Sequence, residues 1–428
     1  MKWSVIYKGS VAQRLSQLEL VLLATMIFAT GGAKDIHQLV LLAIAILVAI
    51  DISISNKDYS GFVHPQIVLW SAFYAAIGSL FLLIGQLNEN PGVMPSFNAN
   101  VIYPFFLAIM IYGLSRDHIL RHAQNVIIFA GGAAALYGIC AVAVTFGLLP
   151  SYMYVDIGVM PEGTGVVIHE DSIGIGINTL MPMLFIFPFM AGLLLLQYVD
   201  GVKVCNPPIT ILVLFLCLIF ILLSGRRSVF VLAVLSPLLF FIFRAFKANR
   251  KMRRWGIIAI AVVVVGLFAV VTEEFAKNDI YFTERINSIF DYDADPSISH
   301  KKAQSEMMIA GWTESPLLGH GHGAVVEGIK SSEAEPWAYE VTYALLLHNT
   351  GILGSLAYIS GILWIYWSAV KIIKRSDYWA NIMIAVMMGF SGFIIANITN
   401  PYLGQLDSLW VLFYPLAIIN TILLQKEM

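Results

Sequence analysis

Apolar runs of membrane length recur along almost the whole chain, and that feature removes most of the folds open to a sequence of this size. A bilayer core of ~30 Å takes roughly 17–25 apolar residues per helix. Runs of that kind fall near 15–31, 37–54, 65–86, 99–114, 123–149, 173–198, 208–224, 228–243, 256–272, 343–370, 379–398 and 407–424. The seventh and eighth are short and the least distinct as separate helices. Of 428 residues, 59% are hydrophobic and 12% charged, where a soluble domain carries roughly 25% charged residues. The mean hydropathy is +0.80, so the surface itself is apolar and its solvent is lipid. The expected fold is all-α: a polytopic transmembrane protein of about twelve helices. Residues 1–271 would hold helices one to nine, 272–342 a large loop, and 343–428 the last three helices.

A net charge of -2 gives no reason to expect a nucleic-acid partner; in such a chain the placement of charge matters more than its sum. With the N-terminus in the cytoplasm, roughly two thirds of the Lys and Arg fall on cytoplasmic loops, as the positive-inside rule asks. The run from Arg244 to Arg254 alone would fix that frame, and both ends of the chain then lie inside. Most carboxylates between Asp156 and Glu340 fall outside. The basic start and first apolar run, Met1 to Gly31, resemble a signal peptide, but no small-residue cleavage site follows, so it reads as a span that stays. Cys140, Cys205 and Cys217 suit neither a disulfide framework nor a zinc site.

Two outer segments exceed a turn: about 150–172 and about 272–341. Loops of that length are commonly functional or disordered. Pro296 and Ser297 look like a helix start, with Met307, Met308 and Trp312 along one face. The second segment is therefore expected to be partly helical, a cap on the outer membrane surface.

Four places carry residues with chemistry. Ser224-Gly225-Arg226-Arg227-Ser228 puts two arginines at an outward hairpin, where guanidinium forks suit phosphate or carboxylate; a headgroup anchor explains them too. Arg285, His300, Lys301 and Lys302 offer cations in the large loop, with Arg285, beside Tyr281 and Phe282, the strongest. Leu317-Leu318-Gly319-His320-Gly321-His322-Gly323 has glycines at alternate positions, which let backbones approach closely. It lacks the βαβ setting of a dinucleotide site, and two histidines make a poor metal site, so a flexible structural turn is the expectation. Glu340-Val341, nine residues, then Gly351-Ile352-Leu353-Gly354 sets a carboxylate at the mouth of the tenth span, ahead of packing glycines. Glu340 is thus a candidate general base, or a helix N-terminal carboxylate favoured by the macrodipole. His348-Asn349 lies two turns deeper, serving the site or bonding a neighbouring helix.

SGRRS at an outward hairpin, ESPLLGHGHG late in a large outer loop and a polar residue ahead of GILG resemble the O-antigen polymerase and O-antigen ligase superfamily. The motifs lie within roughly 224–354. The resemblance implies a GT-C-like glycosyltransferase of the bacterial inner membrane with a large periplasmic loop. It implies transfer from an undecaprenyl-pyrophosphate-linked oligosaccharide to an acceptor hydroxyl, inverting, with no metal or other cofactor. Arg226, Arg227 and Arg285, with Lys301, then match the pyrophosphate-binding role. Glu340 matches the base, with His348 as the alternative catalytic residue. The ligase branch places a His-Asn pair nine residues before GxxG; here that place is Glu340-Val341, and His348-Asn349 is out of register. That departure favours a polymerase that joins lipid-linked repeat units, over a ligase acting on lipid A-core. A flippase, a chain-length regulator and membrane lipid are the partners implied. A secondary transporter predicts charges inside the spans and two similar halves; mid-span charges look few, with Asp51 near a cytoplasmic end. A scaffold without chemistry predicts that Glu340 and the arginines tolerate change.

Overall fold

The computed structural model describes residues 10–30, 34–55, 63–114, 117–153, 166–169, 172–175, 180–224, 227–247, 296–330, 333, 335–398 and 400–426. The body is helical. The helices are α1 (Ser10–Phe28), α2 (Lys34–Ser55), α3 (Pro65–Leu87), α4 (Val93–Phe97) and α5 (Tyr103–Leu114), the last two joined by a π-turn at Asn98–Ile102. There follow α6 (Asp117–Thr145), α7 (Met183–Asp200), α8 (Pro207–Ser224), α9 (Arg227–Ala245), α10 (Pro296–Trp312), α11 (Thr342–Ile373), α12 (Tyr378–Ala396) and α13 (Trp410–Lys426). Among the described residues seven spans are long and apolar enough to cross a membrane, α4 to α5 counting as one, and three shorter apolar helices accompany them.

Each expected span coincides with a helix except 256–272, which lies outside the described residues. The hairpin of the seventh and eighth spans resolves into two helices, α8 and α9. One boundary moves: the sixth span was expected from 173, but Ser172–Ile175 pairs as an antiparallel strand with Val166–His169, in the register Val166↔Ile175. The β-branched Ile173 and Ile175 suit a strand, and Pro182 delays the helix, which begins at Met183. This hairpin is the small exception to an all-α body.

At the centre stands α12, buried from Trp379 to Phe393. Small residues let its neighbours come close: Gly192 of α7 lies against Ala385, and Gly389 lies against the Phe185 carbonyl of α7. Interfaces of this kind replace hydrophobic driving force inside a bilayer. Around it Phe185 meets Trp410 edge-on at 4.9 Å and Phe189 meets Tyr414 at 6.0 Å. Outward, α2 buries Leu41, Ile44 and Val48 and exposes Leu39, Leu42 and Ile46. A helix apolar on all sides has lipid on its outer face.

The helices leave the molecule with two unlike ends. Arg244 pairs with Asp200 at 2.6 Å, Arg375 pairs with Asp377, Lys247 donates to Asn381, and Lys371 lies over Trp367. All of these are at the far end of α11 from Thr342. We call that end the base, and the end beneath α10 the capped end. Within the bundle, Asp51 is accompanied by other buried ionisable groups. Glu19, His37, Asp51 and Asp407 are all buried, with His37 Nδ1 2.6 Å from Asp407 Oδ1 and Tyr112 donating to Asp51 at 2.7 Å. Scattered singly through apolar helices, they left no pattern in the sequence.

Candidate functional site

The site begins where α10 and α11 meet. Pro296 opens α10 as the sequence predicts, since proline suits a first helical turn. Of the face expected from Met307, Met308 and Trp312, only Met308 is fully buried, while Met307 is 39% exposed. Met308 joins Val326, Ile329, Tyr339 and Val341 in a small core separate from that of the bundle. Tyr339 secures it, its hydroxyl accepting from the Val326 N–H at 2.7 Å. The described part of the large loop, 296–341, is therefore a folded cap.

That core presents Glu340 at the mouth of α11. Lys301 Nζ lies 2.9 Å from Glu340 Oε2. One turn along α10, Gln304 Oε1 accepts the Glu340 N–H at 3.2 Å, and Gln304 Nε2 donates to His300 Nε2 at 3.0 Å. The Glu340 side chain is 46% exposed and that of Lys301 21%, so the carboxylate is held in place and open to an incoming molecule. Lys301, expected among the phosphate-binding cations, pairs with Glu340. Lys302 is exposed.

Beneath the mouth, α11 is broken. Gly351 has φ 57° and ψ -168°, a backbone region that glycine alone populates readily. Gly351 was expected to pack helices in lipid; Gly354 does so, against Phe81, but Gly351 instead interrupts the helix. The segment Pro316–Gly323 fills the break. Pro316 and Leu317 carbonyls accept from Ile352 and Leu353, while His320 and Gly321 donate to the His348 and Asn349 carbonyls. Irregular backbone at such depth persists only where protein satisfies its polar groups, and here it does.

This segment is the alternating-glycine motif, and the packing differs from a flexible turn. Gly319 lies against Gly351, Gly321 against Gly85 and Gly323 against Gly92, each too close for any side chain. All three glycines have left-handed φ, 66°, 82° and 80°. His322 is buried; its N–H donates to the Phe81 carbonyl at 2.9 Å and its ring Nε2 to the Tyr358 hydroxyl at 3.1 Å. Tyr358 in turn donates to Asn100 Oδ1 at 3.2 Å. Burial pushes the His322 imidazole down to about 4, so it is neutral at pH 7.

His348, at 4% exposure, stacks on His320 with ring centroids 4.6 Å apart. His320 Nε2 donates to the Gly311 carbonyl at 2.9 Å, and His348 Nδ1 to Asn349 Oδ1 at 3.0 Å. Those donations leave His348 Nε2 with a lone pair, available to accept a proton. Among the described residues no three His, Cys, Asp or Glu gather as a metal site.

The structure thus sets Glu340 with Lys301 and Gln304 near the start of α11, and separately stacks His320 on His348 near the break, with Gly311 of α10 beside them. Arg227 opens α9; because the other end of α9 reaches Asp200 and stacks Phe243 on Tyr366 at the base, Arg227 starts at the capped end. Its side chain, together with Arg226 and Arg285, lies outside the described residues. Sequence reasoning missed Gln304, Asn100 and Tyr358: single polar residues whose partners are remote in the chain.

Fold and site together define a multi-pass helical membrane protein with a folded cap over a broken helix. Residues 212–359, about a third of the chain, match the family model described as O-antigen ligase. That segment is similar to the O-antigen ligase and polymerase superfamily, and the match does not divide one branch from the other. No curated protein matches the chain.

Proposed function

We propose that this protein transfers a glycan from a polyprenyl-pyrophosphate-linked donor to an acceptor hydroxyl at its capped end, facing the periplasm. Undecaprenyl pyrophosphate carrying an oligosaccharide is the donor, and another lipid-linked repeat unit the acceptor. The observation that carries the reading is Glu340, positioned by Lys301 and Gln304 at an open helix mouth, inside a segment matched by the O-antigen ligase family. In the reaction the acceptor oxygen attacks the anomeric carbon. The bond to the diphosphate oxygen breaks with its electron pair leaving on the diphosphate, and the hydroxyl proton passes to Glu340. One displacement inverts the anomeric carbon. Arg226, Arg227 and Arg285 neutralise the departing diphosphate, a role that guanidinium forks fill well.

A ligase is the second reading. What favours it is His348 Nε2, a second base beside the same cap. Glu340→Gln and His348→Ala separate the two, together with Arg227→Ala. Surface polysaccharide is resolved on gels at matched protein levels. On the polymerase reading, Glu340→Gln and Arg227→Ala lose the ladder of long chains, by about 10²–10⁴ in transfer rate for the base. A full ladder from Glu340→Gln with none from His348→Ala overturns the polymerase reading in favour of the ligase mechanism. Full ladders from both sink glycan transfer by either base.

A further inference from the structure

The clamp on the Gly319–Gly323 segment leads to a residue whose bonds go to backbone carbonyls. α3 ends in a Schellman arrangement: Glu89 N–H returns to the Gln86 carbonyl at 3.2 Å and Asn90 N–H to the Gly85 carbonyl at 2.9 Å. The left-handed position that glycine usually fills in this motif is here Glu89, at φ 56°. An L-residue there carries a conformational cost, and such strain recurs where surrounding structure or function requires it. What the motif fixes is the next residue. The Asn90 side-chain amide, Nδ2, shares its two hydrogens among three successive carbonyls, of His320 at 2.9 Å, Gly321 at 3.3 Å and His322 at 3.2 Å.

Three consecutive carbonyls turn to one side only because left-handed glycines alternate through the segment. Asn88 adds a further bond to the His320 carbonyl at 2.9 Å. The backbone of His320 is therefore fixed from both sides, its carbonyl by Asn88 and Asn90 and its N–H by the His348 carbonyl at 3.0 Å. From that backbone the ring lies stacked on His348, its Nε2 on the Gly311 carbonyl.

We propose that Asn90 is a positioning residue, gathering the carbonyls of the inserted loop and so holding the His320–His348 pair in register at the break in α11. The inference rests on the glycan-transfer reading for its consequence, but not for its geometry. A carboxylate at position 90 would face three carbonyl oxygens, and an alanine would leave the carbonyls of Gly321 and His322 without this donor.

The test uses the full-length protein in lipid nanodiscs, treated with diethyl pyrocarbonate, with carbethoxylation of each histidine followed by peptide mass spectrometry. His122, which is exposed, is the reference for full reaction; His37 and His64, buried elsewhere, report general loosening. In Asn90→Ala, modification of His320 and His348 rises about fivefold, the factor set by one hydrogen bond of about 1 kcal/mol, while His37 and His64 stay at wild-type rates. Asn90→Asp gives a larger rise. Glu89→Gly, which keeps the motif and relieves its strain, gives none. Glycan transfer by Asn90→Ala falls in kcat with little change in KM. Unchanged protection of His320 and His348 overturns the proposal, as does an equal rise at His37 and His64. A wild-type protein inactive in glycan transfer sinks the functional reading instead, and the protection pattern still decides the role of Asn90.

Discussion

His322 shows how a single side chain can report on the clamp. Burial alone holds its imidazole down to about 4 from an ordinary 6.5. Between those two values the unfolded chain binds a proton that the folded protein refuses. Its contribution to stability is therefore complete above pH 6.5 and is lost as pH falls towards 4. The thermal midpoint in nanodiscs should drop over that interval, and His322→Gln should remove part of the slope; an identical slope in the variant contradicts the burial. Much at this scale was legible. Glu340 stood out through its spacing from GILG, and Lys301 through its place among loop cations, because each needs only its own neighbourhood in the chain to be noticed. Their pairing was not legible, nor were Asn90, Tyr358 or Asn100. A polar residue after a helix or within a span looks the same whether it meets water, lipid headgroups or a carbonyl from a distant loop.

At the scale of elements, apolar run length located the helices well, since the bilayer sets a length that few other environments impose. It failed where length was kept but continuity was not. α11 runs from Thr342 to Ile373 as one apolar stretch, yet it is two helices with the Pro316–Gly323 segment wedged between them at Gly351. The glycines of GILG look alike in sequence and do different things. A Cβ on Gly351 would strike the Leu317 and Leu318 backbone and would occupy a region that L-residues avoid; one on Gly354 meets the movable ring of Phe81 and the side chain of Thr350. Gly351→Ala is expected to cost at least about 2 kcal/mol and to lower the melting midpoint seen by fluorescence-detected gel filtration. Gly354→Ala should cost clearly less. Equal losses would mean that the break is not the constraint.

For the whole molecule, the reaction we propose has a direction that the fold must share. The base carries Arg244, Lys247, Lys371, Lys374 and Arg375, whereas the cap mixes Lys301, Lys302 and Lys330 with Glu306, Glu314, Glu327, Glu333 and Glu340. Short loops rich in Lys and Arg stay in the cytoplasm, so on the proposed reading the capped end, with Glu340 and the start of α9, faces the periplasm. A donor sugar assembled on a lipid and displayed there would reach the helix mouth from the side, through the bilayer. Accessibility tests this directly. Cys140, Cys205 and Cys217 form no disulfides and can be replaced by Ala. Single cysteines are then placed at exposed Glu314 on the cap and at exposed Lys374 at the base. In spheroplasts, a membrane-impermeant maleimide should label Glu314→Cys at once and Lys374→Cys only after lysis. The reverse pattern would turn Glu340 and Lys301 towards the cytoplasm, where the same ion pair and the same broken helix would need a different substrate.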